Sequence, residues 1–383
     1  MKQSSQFTNL PFEIITNILS RLPVLVIVRL KCVCKAWLAI FESPEFSKLH
    51  LARSSAGLLV YQHLGASCLL KMFGFEDEPE VERHENNYTP VKVFDLSEFR
   101  CQTIAGSVDG FLCLRVVGHI HNLYILNPIT REYITLPTLE SRPLQSSDIV
   151  TYGFGVSSSG CQYKVVRIFH ESELDQAGVC VRIPRSECHV YTLGTTGTWR
   201  SISIAPSPPL YYDSHSIGAL LNGNLHWLAR DLKDSYLISC LDLDAEVFRT
   251  LSAPPLLGWC LGSLVALGDR LTICDNTSEN DIVIWIMKDY GVGKSWTKEF
   301  VISKLPNLDG ECYDLVLPIK VFRNGDILMV WADFYMFYYS KRNKTISKID
   351  IIELACCGSV EAILHVPALV SLTCFEREMI NSY

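Results

Sequence analysis

Two landmarks recur along most of the chain with a common spacing, and that spacing limits the architecture more than any other feature of the sequence. A turn followed by a strand returns as "DGFL" at 109, "SGCQ" at 159, "NGNL" at 222, "GDRL" at 268 and "NGDI" at 324, at intervals of 50, 63, 46 and 56 residues. An aromatic followed after one residue by Thr or Ser and an aliphatic returns as "YITL" at 133, "WRSI" at 199 and "FRTL" at 248, and the landmark continues more weakly as "WTKE" at 296 and "ISKI" at 346. Its intervals are 66, 49, 48 and 50 residues. From about residue 57 onward the intervening sequence consists of short runs rich in Val, Ile, Leu, Tyr and Phe. Gly, Asn-Gly, Asp-Gly and Pro separate these runs, the texture of strands joined by tight turns.

A unit of this length holds about four short strands and cannot cover both of its faces alone. Units stacked radially cover one another, which predicts a kelch-like β-propeller. Five internal units and one assembled from the first and last strands make six blades. "AGLLVYQHL" at 56–64 precedes the first full unit and "EAILHVPALVSLTCF" at 361–375 follows the last. An open ring would leave an unpaired strand edge at each end, so these two segments are expected to share a blade. Two insertions interrupt the period, "HESELDQAGVCVRIPRSE" at 170–187 and the acidic "EDEPEVERHENN" at 76–87. Both are expected to project as loops at one rim, where specificity on a rigid scaffold resides. Glu76, Asp77, Glu80, Glu82, Glu171, Glu173, Asp175, Arg182 and Arg185 are the candidate substrate contacts. The competing reading is that both charged runs are solvated spacers.

The chain begins differently. "LPFEIITNILSRLPVLVIVRLKCVCKAW" occupies residues 10–37, with apolar residues at Ile14, Ile15, Ile18, Leu19 and Leu22 in the stripe of an amphipathic helix. Pro11 suits the first helical turn, and Glu13 complements the positive helix end. Pro23 ends that helix and can begin another. From Val24 to Trp37 the apolar positions are 24, 25, 27, 28, 30, 33 and 37, opposed by Arg29, Lys31 and Lys35. Two or three short helices in roughly 40 residues bury their own apolar surface poorly. Exposed apolar helix faces of this size mark a partner site.

The series Leu10-Pro11, Glu13-Ile14-Ile15, Ile18-Leu19, Arg21-Leu22-Pro23-Val24, Arg29, Val33-Cys34-Lys35 and Trp37 resembles the F-box of plant F-box proteins. "LYILNPITREYITLP" at 123–137, "YGFGVSSSGCQYKVVRI" at 152–168, "LNGNLHWLA" at 221–229 and "IWIMKDYGVGKSWTKEF" at 284–300 resemble the F-box-associated domain of the same proteins. That domain resembles kelch propellers but lacks a clean double-glycine signature. The resemblance implies a mainly β chain with a small α module: a three-helix F-box over 1–50 and a six-bladed, kelch-like propeller over 51–383. It further implies an adaptor-binding surface formed by Leu10, Pro11, Ile14, Ile15, Ile18, Leu19, Leu22, Pro23, Val24, Leu30, Val33, Cys34 and Trp37. Leu25 and Val26 depart from the family, which often places polar residues there; tighter packing and an altered adaptor surface both fit. The implied function is substrate recognition in an SCF (adaptor-cullin-F-box) ubiquitin ligase, with the adaptor, through it a cullin, and an unknown protein substrate as partners. The alternatives are a scaffold that uses the adaptor without degradation, or a propeller enzyme with a site in its central channel.

Charge and cysteine usage agree with this class. With 34 Lys+Arg against 41 Asp+Glu the chain has no basic face for nucleic acid or anionic membrane. No secretory signal is readable, and the longest apolar stretches are broken by Arg29 and Asp333. Fifteen cysteines, scattered through apolar runs, read as reduced core residues of a cytosolic or nuclear protein. "GVGKS" at 291–295 lacks the first glycine of a phosphate loop, since position 288 is Lys, and leads into a strand. "GFGVSSSG" at 153–160 lacks the third dinucleotide glycine and reads as a hairpin turn. Cys32 with Cys34, Cys356-Cys357, and His119 with His121 each lack further metal ligands. No nucleophile and base are marked together, so neither catalysis nor a cofactor or metal is expected.

Overall fold

Pro11 and Pro23 stand immediately ahead of the first two helices, where a fixed φ near −55° suits helix entry and no N–H is lost. In the computed structural model these helices are α1 (Phe12–Leu19) and α2 (Val24–Leu30), followed by α3 (Lys35–Phe41) and α4 (Pro44–Leu51). The structure describes residues 11–382 apart from 65–66, 75–89, 100–101, 117–121, 140–147, 160–161, 175–179, 196, 204–210, 213–216, 232, 234, 257–262, 305–315, 332–334, 350–359 and 376–379. Among the described residues the module thus has four helices rather than the expected three. The start of α4 was legible: Ser43 caps it, accepting from the Phe46 N–H at 3.2 Å, and Pro44 occupies its first turn.

Leu19, Val24, Ile27, Ile40, Phe41 and Phe46 form the module core, and Leu369 from the far end of the chain completes it. Leu25 packs against both this core and the cluster of the first blades, which places its departure from the family pattern in intramolecular packing. Val26, its neighbour, is exposed.

Among the described residues the remaining chain forms six antiparallel sheets of four or five strands, the six blades expected. The innermost strands are Gln102–Val108, Ile149–Val156, Ala219–Leu221, Ser263–Leu267, Val316–Val321 and Val360–His365, each beside the next around the ring. Val360–His365 pairs with Gly57–Gln62, Gly57 opposite His365, so the two chain ends close the first blade. The chain then continues under the second blade, where Asn127 Nδ2 donates to the Ala368 and Val370 carbonyls at 3.1 and 2.7 Å. Ile380–Ser382 finally adds to that blade's outer edge.

The first sequence landmark is the turn between innermost and second strands. At Asp109-Gly110 and Asn222-Gly223 both residues have positive φ, the conformation that selects Asp-Gly and Asn-Gly in two-residue hairpins. A Cβ on Gly110 would also lie 2.5 Å from that of Ala368, so the returning chain needs the glycine. The second landmark is an outer strand in five blades: Glu132–Thr135, Arg200–Ile202, Val247–Ser252, Trp296–Ser303 and Thr345–Ile349. Gly153 and Gly155 of "GFGVSSSG" lie within the innermost strand Ile149–Val156, the turn begins only at Ser157, and Gly160 lies outside the described residues. Gly153 and Gly155 there admit Trp227 and Leu225 from the next blade.

Neighbouring innermost strands run parallel: Glu361 accepts from the Ile104 N–H at 2.7 Å and, further along both strands, His365 Nδ1 lies 2.9 Å from Ser107 Oγ. All innermost-to-second turns therefore share one face. The helical module sits on it, against Ile129 in the turn after Asn127. Phe73, at the end of the first blade's third strand, stands at this same face, whereas Leu174 and Cys180 stand at the opposite one. The insertion expected at 76–87 and the tip 175–179 of the second one lie outside the described residues. On both sides of that tip the loop expected at 170–187 is corrected: Tyr163–Leu174 and Cys180–Thr192 are paired strands with register shifts between Cys180 and Arg185, where Pro184 offers no ladder N–H.

Candidate docking faces

Helix α1 is apolar on more than one side. Ile15 and Leu19, four residues apart, turn toward the module core, while Ile14 and Ile18 turn to solvent, each 46% exposed. Of the expected adaptor-binding residues, Pro11, Ile14, Ile18, Pro23, Val33 and Cys34 are exposed. Ile15, Leu22, Leu30 and Trp37 are half-buried against the core. Leu19 and Val24 are buried in it, so their assignment to the surface is corrected, and Leu10 lies outside the described residues. Phe12, Val26 and Val28 are exposed apolar side chains absent from the expected set. Their signal was the apolar excess itself, since a helix with one buried face leaves apolar residues over when nearly every position is apolar.

Polar contacts from α4 and from Arg53 and Ser54 just beyond it fix this arrangement. Arg53 Nη1 donates to the Asn17 carbonyl at 3.1 Å and to Asn17 Oδ1 at 3.0 Å. Burial lowers the pKa of His50, so its neutral ring can donate from Nε2 to the Leu22 carbonyl at 3.0 Å and accept at Nδ1 from Ser54 Oγ at 3.1 Å. α1 and the α1–α2 turn are thereby held to α4.

On the propeller, Glu76, Asp77, Glu80, Glu82 and Asp175 lie outside the described residues. Glu171, Glu173, Arg182 and Arg185 stand on the strands of the extended hairpin, with Arg182 opposite Glu173 and Arg185 opposite Glu171. Arg182 Nη1 is 3.8 Å from Glu173 Oε1, and Arg185 Nε donates to Glu187 Oε1 at 2.9 Å. Exposed pairs of this kind contribute about 0–1 kcal/mol, so they shape a surface rather than hold the fold.

Two interblade polar clusters were not foreseen. Lys164, Glu246 and Arg200 meet between the third and fourth blades. His226 Nε2 lies 2.8 Å from the Tyr290 hydroxyl, which accepts from Arg249 Nη2 at 3.1 Å, between the fourth and fifth. Gly293–Ser295 of "GVGKS" forms a short 3-10 turn closed by Ser295 Oγ on the Asp289 and Val292 carbonyls, ahead of the strand Trp296–Ser303. Among the described residues no group of three His, Cys, Asp or Glu side chains could hold a metal ion. Among the same residues no helix is long and apolar enough to cross a membrane.

A closed six-bladed ring that seats a small helical module with outward apolar side chains is a two-part protein, a helical part and a propeller part. The family model for the F-box associated beta propeller domain matches residues 69–367 and that for the F-box domain matches residues 7–49; the chain belongs to this family of F-box proteins. An F-box/kelch-repeat protein of Arabidopsis thaliana is 26% identical over 347 residues, 85% of each chain. An F-box protein of the same plant is 28% identical over 368 residues, covering 87% of this chain and 85% of that one. Among solved structures, YjhT aligns at a TM-score of 0.42 with 10% identity, over 69% of this chain and 94% of that one, too distant to add to the fold described above.

Proposed function

We propose that this F-box protein is the substrate-recognition subunit of an SCF ubiquitin ligase, with the helical module binding the adaptor and the propeller binding a target protein for ubiquitination and degradation. The observation that carries this reading is the division of apolar residues in the module. Leu19, Val24, Ile27, Ile40, Phe41 and Phe46 close the core, and Phe12, Ile14, Ile18 and Val33 remain outside it. Such side chains dominate an interface when a partner buries them. The chain supplies no reacting group: it holds a substrate lysine near a ubiquitin-carrying enzyme and lowers the entropic part of the barrier. Its place of action is the cytosol or nucleus.

Co-purification with both adaptor and cullin, together with slower turnover of captured proteins when the module is deleted, is the expected result. Adaptor without cullin would favour the non-degradative scaffold. Loss of neither partner on deleting the module would remove the proposal.

A further inference from the structure

The third blade carries a charged side chain in its interior. Tyr152, Arg167 and His189 are directly opposite one another on its first three strands, so all three project from the same face, toward the second blade. Arg167 is 2% exposed. Among the described residues none of its Nε, Nη1 and Nη2 atoms meets an acceptor with good hydrogen-bond geometry, although the Tyr152 hydroxyl is near enough to interact with it, and the buried Nδ1 of His189 likewise has no partner among them. The guanidinium lies over the Phe169 ring at 5.5 Å. From the second blade Arg115, with Nε donating to Thr103 Oγ1 at 3.0 Å, brings its guanidinium to 5.7 Å from the Tyr152 ring centroid. Two guanidinium groups thus approach one tyrosine.

A guanidinium presents five donors in a planar fork and keeps its charge at any pH of interest. Withdrawn from water with only a ring face and one tyrosine hydroxyl beside it, the group opposes folding, since these two contacts do not offset the donors left unmet. The arrangement is complementary to a small planar or tetrahedral oxyanion, which accepts from the fork in a bidentate manner and neutralises the neighbouring positive charge. Tyr152 and the Arg115 side can add further donors. Burial raises the Tyr152 pKa and the two arginines only partly oppose it, so its hydroxyl keeps the proton it would donate.

We infer that the seam between the second and third blades, at Arg167 with Arg115, Tyr152 and His189, is a binding position for a free phosphate-type oxyanion. The near-complete burial of Arg167 favours the free ion over a group carried on a large partner. This inference is independent of the ligase assignment, since it concerns the propeller alone.

The test uses the full chain with inorganic phosphate as probe against chloride of equal ionic strength. The thermal midpoint should rise with the logarithm of phosphate concentration, the signature of a ligand held by the native state only. Arg115→Met should weaken the apparent affinity about tenfold, the effect of losing one charge-assisted contact. Arg167→Met should abolish the dependence and fold at least as well as the parent chain in phosphate-free buffer. O-phosphoserine as a second probe separates sources: a matching shift means that the position also admits a carried phosphate, and no shift means that it takes the free ion. Equal midpoints in phosphate and chloride, an unchanged response in Arg167→Met, or a large loss of stability in that variant without phosphate would each overturn the inference.

Discussion

The Lys164 ammonium and the Glu246 carboxylate stand 2.9 Å apart in the seam between the third and fourth blades, with the Lys164 side chain 4% exposed. Arg200 grips the same carboxylate with two hydrogen bonds of 2.6 Å. These contacts, led by the Arg200 hydrogen bonds, hold the Glu246 pKa below its ordinary 4.5. Because the folded pKa is depressed, the stabilisation is fully present above pH 4.5 and is lost as the pH falls through the folded value. Glu246→Gln leaves a buried ammonium unneutralised and should cost about 3–5 kcal/mol. Combining it with Lys164→Met should recover much of that loss in urea denaturation.

Buried histidines act over a higher pH range, His50 of the helical module among them. Burial lowers the pKa of His170 and His226 to about 4 and that of His365 to about 3. Each stays neutral in the fold at a pH where the unfolded chain binds a proton, so stability should decline as the pH falls below 6.5. The slope should reach at most about 1.4 kcal/mol per pH unit for each histidine. Glu246 does not contribute between pH 6.5 and 4.5, which isolates the histidines. Denaturant midpoints at pH 7.5 and 5.5 should differ, and His365→Asn should reduce the difference.

Truncation after Ile352 removes Val360–His365 and exposes the edge of Gly57–Leu64. It also removes Leu369 from the helical module. The truncated chain should aggregate or lose cooperative unfolding, because every blade is covered by its neighbours. Leu369→Ala separates the two effects: the ring stays closed while the module loses about 2–5 kcal/mol. A truncated chain that unfolds at the parent midpoint would refute the role given to ring closure.

Docking can be separated from folding on α1. Ile14→Asp with Ile18→Asp changes two exposed side chains and should abolish adaptor capture without moving the thermal midpoint. Leu19→Ala, in the core, should lower stability by about 2–5 kcal/mol and reduce capture only to the extent that the module unfolds. Capture that survives the double substitution would place the adaptor elsewhere.

Much of this architecture is written in local sequence. Asp109-Gly110 and Asn222-Gly223 mark their turns because few other pairs tolerate two successive positive φ values. The partnership of Gly57–Gln62 with Val360–His365 follows from the need to remove two strand edges. Helices after Pro11 and Pro23 follow from apolar periodicity and the fixed φ of proline. What the tertiary structure decided is which side of each element is covered. Ile14 and Leu19 are both aliphatic, and only the positions of α4 and the Leu369 segment make one a surface and the other a core. Residues 170–174 and 180–187 carry charges and a proline like a loop, yet they extend a ladder begun by their apolar flanks, since register propagates from the buried part of a strand. Arg167 sits mid-strand, and its burial depends on a neighbouring blade whose packed residues lie far from it in sequence. Periodicity and turn chemistry are local and can be read from one segment. Burial, face and charge environment belong to pairs of segments, and only the closed ring fixes which segments meet.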